Sequence, residues 1–388
     1  MSKPLNIAIA GCGIGGLAAG ALLGQQGHRI TVFDRFEAAA PVGSGLVIQP
    51  VGQAVLAKIG VLNAALDLGT KINRLTGVEA EKTVLDAGYG KAFGLGIHRA
   101  SLFQVLFDAA QKAGMTLITG ADVTASVPAQ NARFLTLANG ETLGPYDLVI
   151  DATGAASPLS AIRNRVLPFG ALWATVDWPH ATRLPADQLS QKYRAASVMA
   201  GVLPIGQLPD GGPGKAAIFW SLRHQDYAGW QTGDFAIWKA GIVEFWPEFA
   251  PFLRQIQTRG DFTMARYSHG TLRQPYGENL AHIGDAAHTA SPQLGQGANM
   301  ALLDAFALAA CLGDLPVAKA LPAYGRARRR HIALYQWLSR FLTPLYQSDH
   351  VVPPFIRNRL LAPLSRIAPM PAVLTRIVCG NAIAPVRG

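Results

Sequence analysis

Residues 5–34, LNIAIAGCGIGGLAAGALLGQQGHRITVFD, predict a strand, a tight turn, a helix and a second strand. Residues 5–10 form a short apolar run without a helical period, which is typical of a buried strand. The glycine-rich turn that follows leads into an apolar helix, and Gly27 ends that helix. Residues 29–33 supply the second strand, so the whole segment has the pattern of a βαβ unit.

Three glycines in the turn fit the pattern GxGxxG, and each has its own physical reason. Gly11 allows the tight turn, Gly13 lets a pyrophosphate approach the backbone, and Gly16 lets the helix and strand pack closely. The free N–H groups and the positive dipole end of the helix would face the phosphates. Asp34 ends the second strand, where a carboxylate can accept hydrogen bonds from a ribose. The pattern predicts a dinucleotide-binding turn, and a βαβ turn that binds nothing is the alternative.

The composition indicates two domains, or one large domain with an intimate second lobe, around a substantial core. Of the 388 residues, 50% are hydrophobic and 15% are charged. The net charge of +10 suits anionic ligands such as dinucleotides, and also an anionic membrane surface. We do not expect nucleic-acid binding, because lysines and arginines are scattered except near the C-terminus and basic patches interleaved with aromatics are missing.

Cysteine usage predicts a cytoplasmic protein. Cys12, Cys311 and Cys379 are odd in number and widely spaced, which argues against a disulfide framework and fits a reducing cytosol. The sequence has no CxxC pair, HExxH motif or comparable ligand spacing, so we expect no metal site. We also expect no signal peptide, because the first residues lead straight into the first strand, and no membrane span.

Residues 165–270 differ in composition from the rest of the chain. Six of the seven tryptophans fall there, and glycines and prolines interrupt short strand patterns such as residues 216–222. This pattern predicts an antiparallel, sheet-based lobe inserted between segments of the first domain. We interpret its aromatic residues as core, with a platform for a flat apolar ligand as the alternative. Weak candidates for such a pocket are Trp220, His224 and Tyr227.

A second glycine-rich turn follows a buried strand beyond this lobe. Residues 280–283 predict the strand, which runs into GDAAH at 284–288. The turn at 292–297 leads into a long helix, and residues 317–347 are predicted to be mostly helical. The tail from Val351 is interrupted by prolines and carries several arginines.

At GDAAH, followed by Pro292, Gly295 and Gly297, the chain resembles the single-component flavoprotein aromatic hydroxylases, the p-hydroxybenzoate hydroxylase-like family. The resemblance extends in order along nearly the whole chain. Its motifs are the N-terminal GxGxxG, GSGLVIQP at 43–50, Arg99 before its helix, the strand at 147–154, and GDAAHTASPQLGQGANMALLDA at 284–305. It implies an α/β fold with a Rossmann-like FAD-binding domain, an inserted mainly antiparallel β-sheet substrate domain and a helical C-terminal segment.

The resemblance also implies that FAD is held at several points along its length. Asp285 would hold the ribityl chain, and Arg99 would contact the phosphate and ribityl region, with a surface salt bridge as the alternative for Arg99. Backbone N–H groups of the loop at 292–299 could stabilise negative charge on the reduced flavin. The implied cofactor-binding residues are Gly11, Gly13, Ile14, Gly15, Gly16, Asp34, Arg35, Gly45, Val47, Arg99, Gly284, Asp285, Pro292, Gly295, Gln296, Gly297, Ala298 and Asn299.

The chain departs from the family at residues 151–160. The family pattern there is GADG followed by a serine and then an arginine, and it serves both FAD and NAD(P)H. In this chain Thr153 stands at the aspartate position and Ser160 at the arginine position. Arg163 and Arg165 lie nearby and are candidates to substitute. The departure therefore bears on the use of NAD(P)H more than on FAD.

The resemblance implies a FAD-dependent monooxygenase that inserts one oxygen atom of O2 into an aromatic or other electron-rich small molecule. The reaction would pass through a flavin hydroperoxide, with electrons from NAD(P)H. The protein would position the substrate and exclude water, so no nucleophile or metal is needed and no catalytic base is identified. The alternatives are a flavin-dependent reductase, dehydrogenase or halogenase on the same fold, or a monooxygenase that uses pre-reduced flavin. The halogenase motif WxWxIP does not occur.

The predicted division of the chain has three parts. They are an FAD-binding domain (1–72, 98–164 and 271–315), a substrate domain (73–97 and 165–270) and a helical C-terminal region (316–388). We interpret the basic, apolar tail at 355–377 as a helical cap on the FAD-binding domain, with contact to a membrane surface as the alternative. The oligomeric state, monomer or homodimer, stays open.

Overall fold

The computed structural model describes residues 3–37 and 43–386; residues 1–2, 38–42 and 387–388 of the predicted domains lie outside the described residues. Its strands are β1 (Asn6–Ala10), β2 (Arg29–Phe33), β3 (Gly45–Ile48), β4 (Thr70–Ile72), β5 (Arg74–Glu79), β6 (Lys82–Gly88), β7 (Gly94–His98), β8 (Thr116–Ile118), β9 (Val123–Ala129), β10 (Ala132–Leu137), β11 (Thr142–Tyr146), β12 (Leu148–Asp151), β13 (Arg165–Val166), β14 (Phe169–Asp177), β15 (Gln188–Arg194), β16 (Val198–Pro204), β17 (Lys215–Arg223), β18 (Thr263–Ala265), β19 (Ser268–Thr271), β20 (Tyr276–Gly277), β21 (Leu280–His282) and β22 (His288–Thr289). Its α-helices are α1 (Ile14–Gln25), α2 (Pro50–Ile59), α3 (Leu62–Leu68), α4 (Arg99–Lys112), α5 (Tyr227–Thr232), α6 (Phe235–Phe245), α7 (Ala250–Leu253), α8 (Gly297–Asp314), α9 (Val317–Tyr346), α10 (Val352–Ile356), α11 (Ala362–Leu364) and α12 (Met370–Cys379).

The first domain is built on a six-stranded sheet in the order β20-β21-β12-β1-β2-β8. From β21 to β8 the strands are parallel, and β20 is an antiparallel edge. Ile7 and Ile9 of β1 face the helices α1 and α8, whereas Ala8 and Ala10 face the antiparallel strands β9–β11. Because both faces of the sheet are covered, β1 is continuously apolar, as a buried parallel strand should be.

The second domain is a seven-stranded sheet in the order β18-β14-β17-β16-β15-β5-β6. Neighbouring strands are antiparallel except for the parallel pair of β5 and β15. Alternate residues of β14 divide its two faces. Leu172 and Ala174 pack under the aromatic residues of α5, α6 and α7 on the outer face, whereas Trp173 packs on the inner face near Val47 and Ile205. The fold class predicted from the sequence is thereby confirmed.

Helix α8 is the central helix of the first domain. It is long and apolar enough to cross a membrane by length and composition alone. However, it packs against α1, α2 and α9, and its Leu302, Leu303 and Leu308 are part of the main hydrophobic core. Its apolar sequence is therefore explained by its place in the core of the domain.

The C-terminal tail is a helical cap that bridges the two domains, so the prediction of a cap on the FAD-binding domain alone was too narrow. A π-helical turn (Arg357–Leu361) joins α10 to α11. Both α11 and α12 pack on β6 of the second sheet. On the other side, Ile377 packs with Met300 of α8 and Tyr335 of α9. Prolines of the tail lie in the first turns of α10 and α12, where a missing N–H costs no helical hydrogen bond.

Candidate cofactor site and active site

The three segments singled out from the sequence follow three adjacent parallel strands. Ala10 of β1 pairs with Asp151 of β12, and Asp151 pairs with His282 of β21. Since neighbouring strands lie about 4.8 Å apart, the segments that follow them begin within about 10 Å of one another. In open parallel sheets, ligands bind at this carboxyl edge. The fold therefore gathers the motifs at 11–16, 151–160 and 284–288 into one site.

The glycine turn after β1 contains two glycines that the protein itself requires. A Cβ at Gly11 would lie 2.4 Å from the Ala152 carbonyl oxygen, and one at Gly16 would lie 2.0 Å from the Gly11 carbonyl oxygen. A Cβ at Gly13, by contrast, would meet no described atom within 4 Å. The backbone at Gly13 has φ −88°, which any residue can adopt. Nothing in the protein explains this glycine, so the space beside it is suited to a ligand.

The Asp34 carboxylate holds this turn in place. Its Oδ2 accepts a hydrogen bond from the Cys12 N–H at 2.7 Å, and its Oδ1 accepts one from the Phe36 N–H at 3.0 Å. The ribose contact that the sequence predicts for Asp34 stays a prediction. The sequence did not show that the same carboxylate fixes the backbone of the glycine turn. Arg35 is exposed beside Asp34, with its guanidinium 5.1 Å from the centre of the Phe36 ring.

Asp285 and Arg99 carry opposite charges and lie close enough for each to shift the pKa of the other. Both side chains are accessible to solvent, yet many protein atoms lie near them and desolvate their charges. This combination is typical of side chains that line a deep cleft. Burial raises the pKa of the Asp285 carboxyl, while His288 and Arg99 oppose that rise. Burial lowers the pKa of Arg99, and Asp285 opposes that fall. The two charges therefore influence each other, although no ion pair joins them among the described residues.

A buried ionic cluster sets the direction of Asp285. The Asp304 carboxylate, fully buried on α8, accepts a hydrogen bond from the Gly284 N–H at 3.0 Å. It also lies 2.6 Å from His288 Nε2 and 2.7 Å from Arg328 Nε. Burial alone would raise the pKa of Asp304, but His288 and Arg328 outweigh it and lower the pKa to about 2. Asp304 was not predicted from the sequence, where it is a single carboxylate in an apolar stretch of helix.

Asn299 fixes the second glycine-rich loop against the first domain. Its Oδ1 accepts a hydrogen bond from the Gln49 N–H at 2.8 Å, and its Nδ2 donates to Val47 O at 3.1 Å and to Gly295 O at 3.0 Å. Gln296 is similarly engaged, since its Nε2 donates to Val378 O at 3.0 Å. The Asn299 side chain is therefore fully hydrogen-bonded within the protein and can serve a ligand only through the backbone that it positions, whereas Gln296 Oε1 has no hydrogen-bond partner among the described residues.

The start of α8 resembles the start of α1 in one respect. A Cβ at Gly297 would meet no described atom within 4 Å, as at Gly13. The preceding turn, Pro292–Leu294, lies against α9. Val47, by contrast, is buried among Ile72 and Ile205, so only its backbone can face the cleft, and a Cβ at Gly45 would strike Ile205 at 2.2 Å. Two open helix starts therefore border the same cleft.

Thr153 and Ser160, the two residues that differ from the family pattern, form hydrogen bonds within the protein. Asp151 is fully buried, and its Oδ1 accepts hydrogen bonds from the Thr153 hydroxyl at 2.6 Å and the Thr153 N–H at 3.1 Å. Its Oδ2 accepts one from the Ser157 hydroxyl at 2.6 Å and lies 2.7 Å from His282 Nδ1. The Ser160 hydroxyl donates to Ala286 O at 2.6 Å, which ties this loop to the second motif.

The inner face of the second sheet presents an aromatic pair to the first domain. The half-buried Trp173 donates from Nε1 to the Tyr267 hydroxyl at 2.7 Å. The ring centroid of Phe219 lies 4.6 Å from that of Trp173. Two residues further along β14, the Thr175 hydroxyl lies 2.8 Å from the Ser44 hydroxyl, beside Arg99. Trp173 and Tyr267 therefore lie on the side of the sheet that faces the cleft.

The structure places the predicted pocket residues elsewhere. Trp220 packs edge-on against Trp238 on the outer face, and Tyr227 stacks on Trp230 there, with ring centroids 5.7 Å apart. His224 lies at the end of β17, where its Nε2 has no hydrogen-bond partner within the described ranges. The alternation of side chains along the strand at 169–177 places Trp173 on the opposite face from Leu172 and Ala174. The sequence does not show which of these two faces lies toward the cleft.

Comparisons with known proteins identify the family of this chain. The sequence model of a family described as “FAD binding domain” matches residues 5–159 and 251–334. The 3-hydroxybenzoate 6-hydroxylase 1 of Aquipseudomonas alcaligenes is 25% identical over 378 residues, covering 92% of this chain and 93% of that protein. The aurachin C monooxygenase/isomerase of Stigmatella aurantiaca is 27% identical over 352 residues, covering 82% of this chain and 84% of that protein.

The fold is also found among solved structures. A crystal structure of HpxO from Klebsiella pneumoniae, complexed with FAD, superimposes with a TM-score of 0.80 at 18% sequence identity. The match covers 97% of this chain and 99% of that one. At this identity the likeness concerns the fold alone.

Proposed function

Given that the chain belongs to the FAD-binding-domain family, we propose that it hydroxylates a small aromatic molecule with O2, taking its electrons from NAD(P)H. Its relatives include FAD-dependent monooxygenases, and this chain is an enzyme of that kind with FAD as its cofactor. We place it in the cytoplasm, in keeping with its free cysteines.

The observation that supports this function best is the pair of open helix starts at the edge of the sheet where Asp285 also lies. The backbone is unobstructed at Gly13 on α1 and at Gly297 on α8. The start of a helix offers free N–H groups to phosphate, and a second one can stabilise negative charge on a reduced flavin ring. A dinucleotide that carries only nicotinamide would have no need for the second start, whereas FAD fits both of them and Asp285.

The residues of the chain would hold FAD at three levels. The turn around Gly13 would hold the pyrophosphate, and Arg99 and Asp285 would hold the middle of the molecule. The backbone of the loop at 292–299 would hold the ring, since Asn299 and Gln296 fix that backbone. Bound FAD supplies the activation of O2, and the chain supplies orientation and a site from which water is excluded.

We propose that the aromatic substrate lies against Trp173 and Tyr267. Burial raises the pKa of the Tyr267 hydroxyl to about 12, although the bond from Trp173 opposes that rise, so it stays protonated at neutral pH. The hydroxyl accepts the Trp173 N–H, while its own proton has no acceptor in the described part of the chain. It can therefore donate to a polar substituent on a ring. The relative named 3-hydroxybenzoate 6-hydroxylase acts on a ring of that sort.

The proposed function is tested by single-turnover reactions with labelled dioxygen. Small hydroxylated aromatics are first screened for those that accelerate reduction of the bound flavin by NADH or NADPH. Each hit is then oxidised under ¹⁸O2, and the product is weighed by mass spectrometry. One labelled oxygen atom per product molecule supports the hydroxylase. Turnover that leaves the label out of the organic product points to a reductase or dehydrogenase instead.

Asp285→Ala should weaken FAD binding without unfolding the protein. The lost bond from a carboxylate to the ribityl chain is worth about 1.5–3 kcal/mol, so affinity should fall roughly 10- to 100-fold. Fluorescence titration of the apoprotein with FAD measures this. Asp122→Ala removes an exposed carboxylate outside the cleft and should leave affinity unchanged. Equal affinity in the two variants would show that Asp285 does not contact the cofactor.

Thr153→Asp should lower stability in a pH-dependent way. The new carboxyl group would replace a hydroxyl that lies 2.6 Å from Asp151 Oδ1, so its pKa would rise above its value in the unfolded chain. A raised carboxyl pKa destabilises the fold, and the loss should begin at about pH 4, the ordinary pKa of aspartate, and grow as the pH rises toward the raised pKa of the new group. Thr153→Asn, which is neutral and can still donate, should show no such trend. Urea unfolding at several pH values measures the free energy of unfolding of each variant. The same pH dependence in Thr153→Asp and Thr153→Asn would contradict the expectation.

A further inference from the structure

We propose that the outward face of the C-terminal helices docks on an anionic lipid surface. Helix α10, the π-helical turn and α11 form one continuous helical segment from Val352 to Leu364. On its outward side, Val352 is 59% exposed, Phe355 63%, Leu360 59% and Leu364 42%. The spacings are three and four residues, and five across the π-helical turn, which places these side chains along one side of the segment. Helices of a water-facing surface normally carry polar residues at such positions.

The inward side of the same segment is firmly attached to the protein. Arg357 is buried and pairs with Glu79 of β5, and Asn358 Nδ2 donates to Glu79 Oε2 at 2.7 Å. Further along, Arg366 Nη2 donates to Thr83 O at 2.8 Å. These bonds fix the orientation of the segment. The exposure of its apolar side is therefore a property of the fold and not the result of a loosely packed tail.

The charges beside this apolar face suit an anionic partner. Arg359 and Arg376 are exposed there, and residues 350–386 contain no aspartate or glutamate. Because α11 and α12 both pack on β6, their outward sides belong to the same side of the molecule. Arginines next to exposed Phe, Leu and Ile are the composition with which interfacial helices bind anionic lipid headgroups and the acyl boundary beneath them.

A second copy of the chain is a poorer occupant for this face. A two-fold contact places the same patch against itself, so the exposed arginines would meet one another with no carboxylate of the segment to offset them. Phosphate groups of a lipid surface would offset them. Exposed Ile367, at 60%, lengthens the apolar strip between α11 and α12, which favours a broad flat surface over a narrow cleft in a partner.

The test is co-sedimentation of the full-length, FAD-loaded protein with vesicles. One set of vesicles contains equal parts of phosphatidylcholine and phosphatidylglycerol, and the other contains phosphatidylcholine alone. The wild type should sediment with the anionic set and much less with the neutral set. Phe355→Ser with Leu360→Ser should reduce the partition coefficient roughly tenfold or more, as should Arg359→Gln with Arg376→Gln. Bound FAD and thermal melting show that each variant is folded.

Ile237→Ser is the matched control, since Ile237 is 71% exposed on α6 in another part of the protein. It should sediment like the wild type. The proposal is overturned if the wild type stays in solution with both sets of vesicles, or if the control loses binding as fully as the Phe355 and Leu360 variant. It is also overturned if analytical ultracentrifugation shows a dimer that this variant dissociates, because a second copy would then cover the face.

Discussion

Gly13→Val is expected to give a folded protein that purifies without its yellow cofactor. The valine side chain would fill a space that no described protein atom borders within 4 Å, on a backbone that tolerates it, so the fold should persist. That space is where the pyrophosphate would approach the N–H groups at the start of α1. Losing two charge-assisted bonds would cost about 3–6 kcal/mol, or roughly 100- to 10,000-fold in FAD affinity.

Two substitutions make this result specific. Gly241→Val, at an exposed position of α6 where a Cβ also meets nothing, should keep its full FAD content. Gly16→Ala should disturb the fold as well as FAD binding, because its Cβ would lie 2.0 Å from the Gly11 carbonyl oxygen and the turn would have to change its structure. Absorbance of the flavin and far-UV circular dichroism distinguish the three. A fully yellow Gly13→Val protein would mean that this turn is not where FAD binds.

Asp304→Ala should strongly destabilise the cofactor domain. It would leave the guanidinium of Arg328 buried beside a missing partner and the Gly284 N–H without its acceptor. Removing one member of a buried ion pair costs about 3–5 kcal/mol. The urea midpoint of the apoprotein should fall accordingly, and Arg328→Met added to Asp304→Ala should cost less than the sum of both changes.

The same cluster predicts a difference at acid pH. The pKa of Asp304 in the folded protein is about 2, below its ordinary value of 3.8, so the stability it contributes is present above pH 4 and is lost as the pH falls toward 2. The wild type should therefore lose stability over that range more steeply than Asp304→Ala. Identical acid denaturation of the two proteins would show that the carboxylate contributes nothing through its charge.

The parts of this protein that could be predicted from its sequence are those that the backbone alone determines. A glycine turn after an apolar strand, twice over, places its helix start at the carboxyl edge of a sheet whatever surrounds it. The order of the motifs then identified the fold and the cofactor. Both depend on local pattern, which Gly11, Gly16 and the GDAAH segment carry by themselves.

What could not be predicted depends on partners far away in sequence. The role of Asp304 depends on its contacts with Arg328 and Gly284, which are distant in sequence or in another element. The role of Trp173 depends on which face of the second sheet is the inner one, and no local pattern shows that orientation. Thr153 illustrates the same limit. Its place in the motif was evident, but its hydrogen bond to Asp151 shows why an aspartate there would meet another carboxylate.

Ala301 has a consequence for the order in which the living cell assembles this enzyme. A Cβ at Gly15 would lie 3.4 Å from the Ala301 Cβ, and one at Gly284 would lie 3.1 Å from it, so this one methyl group packs against both glycine turns. The first turn leaves the ribosome early, but its counterpart is among the later segments to be synthesised. Both turns are therefore present together only after residues up to 305 have been synthesised, so we expect FAD to bind no earlier than that point.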